Sequence, residues 1–242
     1  HSPAAELAAG IRLVVAASFE RIYRQNADNL GLFTSTDFGL VERIERGEEI
    51  DVEELVAGRD TLAATILRSG GLLRYGHERL GTTASSDVIA TREIEPDGPL
   101  TLFEKIVRRH VVATPDTSVP TAEAGGFVRA DFRFIHEYYT GMCSHLLHKT
   151  FGRPAPLRER ETIVCFEDHL SYVDRSPAHV AGGLIPSARR LSTAHREFVA
   201  DYGLRDHGYL VGRAGSEGIS HAMMAESYAL PGQLIVGTDS HT

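Results

Sequence analysis

The stretch IRLVVAASFERIYRQNADNLG, residues 11–31, decides the class of fold. Its first half is a short run rich in Val and Ile, which reads as a strand. Its second half sets Phe19, Ile22, Tyr23 and Leu30 roughly on one stripe at helical spacing, and Gly31 suits the end of that helix. A strand running straight into an amphipathic helix predicts an α/β layer. The residues before it agree with a helix: Ser2 can cap one, Pro3 suits its first turn and Gly10 its end.

Working outward, DFGLVERIERG (37–47) and DTLAATILRSGGLLRYG (60–76) are further helices, the second ended or broken by Gly70-Gly71. Residues 81–98, GTTASSDVIATREIEPDG, have the Gly, Ser, Thr, Asp and Pro content of an exposed connection. The expected division is therefore a first domain over 1–80, a linker over 81–98 and a second domain over 99–242. In the second region, PLTLFEKIVRRHVV carries a helical stripe, and PDTSVPTAEAGG is loop-like. FVRADFRFIHEYYTGMCSHLLHKTFG reads as strand then helix, ETIVCFEDHL as a strand, SARRLSTAHREFVADYG and SEGISHAMMAESYALPG as helices, and QLIVG as a strand. Strands alternating with helices again predict α/β architecture, in which ligands sit at the carboxyl ends of strands.

Two motifs stand at such ends. Asp168-His169 follows the first strand; a carboxylate beside a His orients the ring and raises its basicity, the makings of a general acid or base. Asp239, Ser240 and His241 follow the second, and only a tight loop brings all three together, because successive strand side chains point to opposite faces. His221 lies just inside a helix after a Gly-rich entry. His136-Glu137 reads by itself as a surface or core-edge pair. Cys143, His145 and His148 lack a fourth ligand and make a poor zinc set. Neither a phosphate-cradling glycine loop nor a Gly-x-Ser-x-Gly elbow occurs.

Composition narrows the class. The net charge of -8 argues against a nucleic-acid-binding surface. No apolar run approaches the ~20 residues of a membrane helix. Two cysteines make no disulfide framework, which suits an intracellular, cytoplasmic protein.

GSEGISHAMMAESYALPGQLIVGTDSHT (215–242) closely resembles the aconitase family, in which a His-bearing helix leads through a Tyr-x-x-Pro-Gly turn to a strand ending Gly-Thr-Asp-Ser-His-Thr. CFEDHL resembles the family's Asp-His motif. TLFEKIVRRHVV resembles the opening helix of the isopropylmalate dehydratase large subunit, and AASFERIYRQNADNLGL the family's swivel domain. HSPAAELAAG resembles the segment that follows the swivel's Ser-Arg-Glu-His motif. The resemblance implies a swivel-type α/β domain followed by an aconitase-like three-layer α/β domain. It implies a hydro-lyase or isomerase that dehydrates and rehydrates a hydroxy di- or tricarboxylic acid, with citrate/isocitrate favoured. Isopropylmalate or homoaconitate chemistry, or a mononuclear-metal hydrolase using His169, His221, Asp239 and His241, stands as the alternative. By resemblance, Asp168, His169, His221, Asp239 and His241 are catalytic, while Ser240 and His136 bind the polycarboxylate substrate. The implied cofactor is a [4Fe-4S] cluster acting as Lewis acid. Cys143 and Cys165 do not fit its ligand pattern, so its cysteines are expected beyond Thr242 or on a partner subunit. Arg43, Arg59, Arg68 and Arg74 are candidate specificity arginines.

Overall fold

The computed structural model describes residues 2–82, 98–112, 125–208, 216–239 and 242, and the side chains of 80–82 are excepted. Most of the expected linker, most of PDTSVPTAEAGG, and Ser240 and His241 lie outside the described residues. The chain forms two compact units, residues 1–99 with 111–128 and residues 100–110 with 129–242. Residues 111–128, expected in the second domain, thus fall in the first unit, where Val111 bridges Val128 antiparallel.

The first unit runs α1 (Ser2–Ala8), β1 (Leu13–Val15), α2 (Arg21–Leu30), β2 (Phe33–Ser35), α3 (Gly39–Glu45), α4 (Val52–Val56), α5 (Thr61–Arg68) and α6 (Leu72–Thr82). β1 and β2 pair in parallel, Leu13 opposite Phe33, so β1–α2–β2 is a parallel crossover. Glu20 caps α2 by accepting the Ile22 N–H at 2.7 Å, and Gly31 ends it with φ of 80°. The stretch 60–76 is two helices. Gly70 and Gly71 both take positive φ between them, and a Cβ on Gly71 would lie 2.8 Å from the Asn29 carbonyl oxygen. The end of α2 therefore packs directly on the α5–α6 turn, which only glycine permits. Val56, Ala64 and Leu67 close over Phe33, and Leu62, Ile66 and Tyr75 over Leu72 and Phe127.

The second unit contains α7 (Leu102–His110), β3 (Phe132–His136), α8 (Glu137–Phe151), β4 (Ile163–Phe166), α9 (Pro177–Ala181), α10 (Ile185–Tyr202), β5 (Arg205–His207), α11 (Ser220–Met223), which continues as a π-turn over Met224–Tyr228, and β6 (Ile235–Gly237). The four strands form a parallel sheet in the order β5-β4-β3-β6. His136 is paired with Phe166 across β3 and β4, and Phe132 with Ile235 across β3 and β6. Alternation along β3 splits the core between two faces. Ile135 and Cys165 pack with Phe198, Tyr202, Tyr139 and Leu147 of α10 and α8. Phe134, Val164 and Phe166 pack with Met224 and Tyr228. The unit is thus helices, sheet, helix. From β3 the chain steps outward to β4 and β5, then returns to place β6 on the other side of β3. That reversal opens a crevice at the carboxyl ends of β3 and β6, the place where open α/β sheets bind ligands.

Candidate active site

Parallel pairing brings the ends of β3 and β4 level, so His136 and the Asp168-His169 turn lie side by side. Asp168 Oδ1 accepts from His169 Nδ1 at 2.6 Å, and its Oδ2 accepts the Ser220 N–H at 2.6 Å. The second contact pins the start of α11, and with it His221, against the β4 end. His221 Nε2 stands 3.8 Å from Asp239 Oδ2, past the end of β6, and 3.1 Å from Thr242 Oγ1. The His221 ring sits edge-on to Phe134, with centroids 5.3 Å apart. His136 lies flat beneath His169, the rings 3.8 Å apart and 9° from parallel. Five residues singled out in the sequence, Asp168, His169, His221, Asp239 and His136, are therefore neighbours at one sheet end.

Burial opposes charge on Asp168, but the Ser220 N–H and the His169 ring outweigh it and hold the carboxyl below the usual range. An ionised Asp168 obliges His169 Nδ1 to be the donor, which leaves Nε2 for chemistry. His136 is 1% exposed. Burial first, then the neighbouring His169, push it down to about 4, against the pull of Asp168 and Asp239. It is therefore a neutral ring at pH 7. A depressed folded value means that the unfolded chain binds the proton more readily, so stability is lost as pH falls from about 6.5 towards 4, by up to about 3 kcal/mol. Glu137 acts with the opposite sign: burial raises its carboxyl, so its contribution falls as pH rises through that raised value. Urea denaturation across pH 4–7 checks this. His136→Gln is expected to remove the acid-side loss, and an unchanged pH slope would refute the assignment.

The sequence reading of His136-Glu137 as a surface or core-edge pair is corrected: both side chains are buried. Glu137 Oε1 accepts the N–H groups of His169 at 2.7 Å and Leu170 at 2.5 Å. Behind them, Thr140 donates to the His136 carbonyl at 2.9 Å and contacts His195 Nδ1 at 2.8 Å, while His195 Nε2 reaches Asp206 Oδ1 at 3.3 Å. No local pattern marks Thr140, His195 or Asp206; they meet because α10 packs on α8. His148 bonds Tyr202 and Ser144 and belongs to this packing rather than to a metal set.

His136, Glu137, Asp168 and His169 could offer four ligand atoms within 4.8 Å of one another. The geometry disfavours one ion among them. Imidazole lone pairs lie in the ring plane, and two stacked rings aim theirs along parallel planes. Both oxygens of Asp168 are already engaged. An iron–sulfur cluster does not fit the donors either. Cys143 and Cys165 pack into the core between the sheet and α8, and burial pushes both thiols up, so neither offers a thiolate. The candidate specificity arginines are mostly spent as well. Arg43 pairs with Glu48 and Glu54, Arg68 with Glu53, and Arg59 with Asp28.

Comparison with known proteins covers part of the chain. No family model matches the chain. It is 34% identical over 96 residues to the 3-isopropylmalate dehydratase small subunit of Aquifex aeolicus (strain VF5), a match covering 34% of this chain and 57% of that protein. It is 38% identical over 96 residues to the protein of the same name from Hydrogenobaculum sp. (strain Y04AAS1), covering 34% and 58%. With that of Pyrobaculum aerophilum it shares 35% over 81 residues, covering 28% and 50%. About a third of the chain is thus similar to 3-isopropylmalate dehydratase small subunits. It spans between 50% and 58% of the length of these three relatives. Their names agree better with the isopropylmalate alternative and give no specific support to the favoured citrate/isocitrate reading. Among the described residues, no helix is long and apolar enough to cross a membrane.

Proposed function

We propose that the chain supplies part of the acid–base machinery of an isopropylmalate-type hydro-lyase. The first unit is read as the swivel-type domain and the second as the aconitase-like one. The observation that carries the reading is the Asp168–His169 pair, locked to α11 through Ser220 and set against His136, His221 and Asp239 at the strand ends.

Hydroxide is a poor leaving group, so dehydration needs a proton on the departing oxygen. His169 as imidazolium delivers it from Nε2, and Asp168 stabilises the imidazolium and keeps the ring oriented. The proton on the neighbouring carbon is read as passing to a base supplied by a partner subunit or further chain, so that water leaves and the C=C bond forms. His221 with Asp239 forms a second imidazole–carboxylate pair across the crevice, suited to holding a proton on the same oxygen. Ser240 and His241 keep the substrate-facing roles that the resemblance implies. A cluster supplies Lewis-acid activation in this family, but this chain's thiols are buried away from the site. The cluster's ligands are read as coming from a partner subunit or further chain. Two free cysteines, Cys165 buried and Cys143 half-buried, suit a cytoplasmic setting.

The test uses the natural full-length protein with its partner, reconstituted anaerobically with iron and sulfide. The absorbance of the unsaturated diacid is followed with isopropylmalate, citrate and homocitrate offered in turn. Turnover led by isopropylmalate supports the proposal. Turnover led by citrate would return the first reading, and none with any of them would remove the hydro-lyase assignment.

A further inference from the structure

Glu137 is the most deeply buried acid at the strand ends, and no reaction step above uses it. It is the first residue of α8, directly after His136. Its side chain is 0% exposed. Oε1 takes both N–H groups of the turn that carries His169. Oε2 has no hydrogen-bond partner and faces His136 Nδ1 at 4.0 Å; both His136 nitrogens likewise lack one. A buried carboxylate in that position would leave a charge beside an uncharged ring, which is costly. A neutral acid would not, and its Oε2 would face His136 Nδ1 across 4.0 Å without carrying a charge.

We propose that Glu137 is a positioning residue, held as the neutral acid, which clamps the 169–170 backbone so that His169 lies flat on His136 with Nε2 presented to substrate. Burial raises its carboxyl, and the nearby charge of Asp168 adds to that, overcoming the N–H contacts of Leu170, His169 and Glu137 itself that work the other way. Among the described residues, the charged and titratable groups that face the stacked rings include Asp168, His221, Asp239, Tyr138 and Tyr139. Glu137 sets where His169 sits, and Asp168 sets its charge. Two N–H groups received by one oxygen fix the turn more tightly than either would alone. Without it, both part-buried N–H groups would lose their protein acceptor. Because misplacing a catalytic group by about 1 Å costs on the order of a hundredfold, the clamp acts on kcat rather than on affinity.

The kinetic part of this inference rests on the hydro-lyase reading; the structural part does not. The experiment compares the wild-type protein, Glu137→Gln and Glu137→Ala in the full-length assembly. It measures amide hydrogen exchange at residues 169 and 170, the NMR titration of the His169 imidazole, and kcat with KM. Glu137→Gln keeps the accepting oxygen and mimics the neutral acid. It is expected to keep both amides protected, to leave the His169 titration unmoved, and to hold kcat within about threefold of wild type. Glu137→Ala is expected to lose about a hundredfold in amide protection and in kcat, with KM changed by less than about threefold. Two results overturn the proposal. One is a shifted His169 titration in Glu137→Gln, which would show that a negative charge had been acting. The other is full amide protection in Glu137→Ala. Should Glu137→Ala fail to fold, the Glu137→Gln titration still decides between neutral acid and carboxylate. A wild-type protein without turnover would remove the hydro-lyase reading, while exchange and titration would still judge Glu137.

Discussion

Asp168→Asn is expected to lower kcat by about a thousandfold or more, with the fold intact, because the imidazole loses its orienting acceptor and its stabilising charge. Asp168 does two things at once, one with each oxygen. An asparagine has a single accepting oxygen. If that oxygen stays on the Ser220 N–H, the amide NH2 faces His169 Nδ1 and drives the ring to the wrong tautomer. If it turns to His169, the start of α11 loses its anchor and His221 drifts from Asp239. Either way Nε2 no longer delivers a proton from an imidazolium that a carboxylate supports. Steady-state kinetics on the reconstituted assembly, with circular dichroism as the control for folding, measure this. Activity within tenfold of wild type would mean that the pair is an ordinary strand-end contact. Since the contacts of Asp168 hold its carboxyl below the usual range, it stays ionised above pH 5. A change in rate near neutral pH therefore does not come from Asp168.

Arg59→Ala is expected to destabilise the first unit by about 3–5 kcal/mol, the scale for removing one partner of a buried ion pair. The Arg59 side chain is 4% exposed and its partner Asp28 is 15% exposed, with Nη2 3.1 Å from Oδ1. The guanidinium also donates to the Leu55 carbonyl at 2.7 Å and to Thr34 Oγ1 at 2.9 Å. It ties α2, β2 and the end of α4 together. Alanine leaves Asp28 without its charge partner and takes the guanidinium donor from three further acceptors, the Leu55 and Thr34 carbonyls and Thr34 Oγ1. Arg68→Ala is the contrast. Its pair with Glu53 is largely in water, so a loss of no more than about 1 kcal/mol is expected. Urea denaturation of both variants gives the comparison, and equal effects would show that the burial of Arg59 carries no weight.

How much the sequence showed depended on whether the signal was local. The α/β class was legible because Leu13–Val15 passes directly into Arg21–Leu30, and ETIVCFEDHL and QLIVG carry their own apolar runs. The helix ends were legible where one residue sets the backbone, as Gly31 and Gly203 do. β5 was missed, because three residues as polar as Arg205, Asp206 and His207 give no strand period. β2 was missed because it is short and lies between helix signals. Asp168-His169 was legible as adjacent residues at a strand end. Glu137 was misread, because burial depends on what covers a residue, and the cover comes from residues 169–170 in another segment.

By itself, then, the sequence determined the α/β class and most of the element order, the residue types able to move protons, and the placement of Asp168-His169 and Asp239 just after strands. Those follow from periodicity, glycine and side-chain chemistry within a few residues. Only the tertiary structure decided which motifs meet. The return of β6 beside β3 puts Asp239 near His221, the packing of α8 places Glu137 under the His169 turn, and the fit of α2 over Arg59 removes that arginine from substrate binding. Each outcome depends on contacts between segments far apart in the chain, where distance and burial, rather than local pattern, set charge, tautomer and reach.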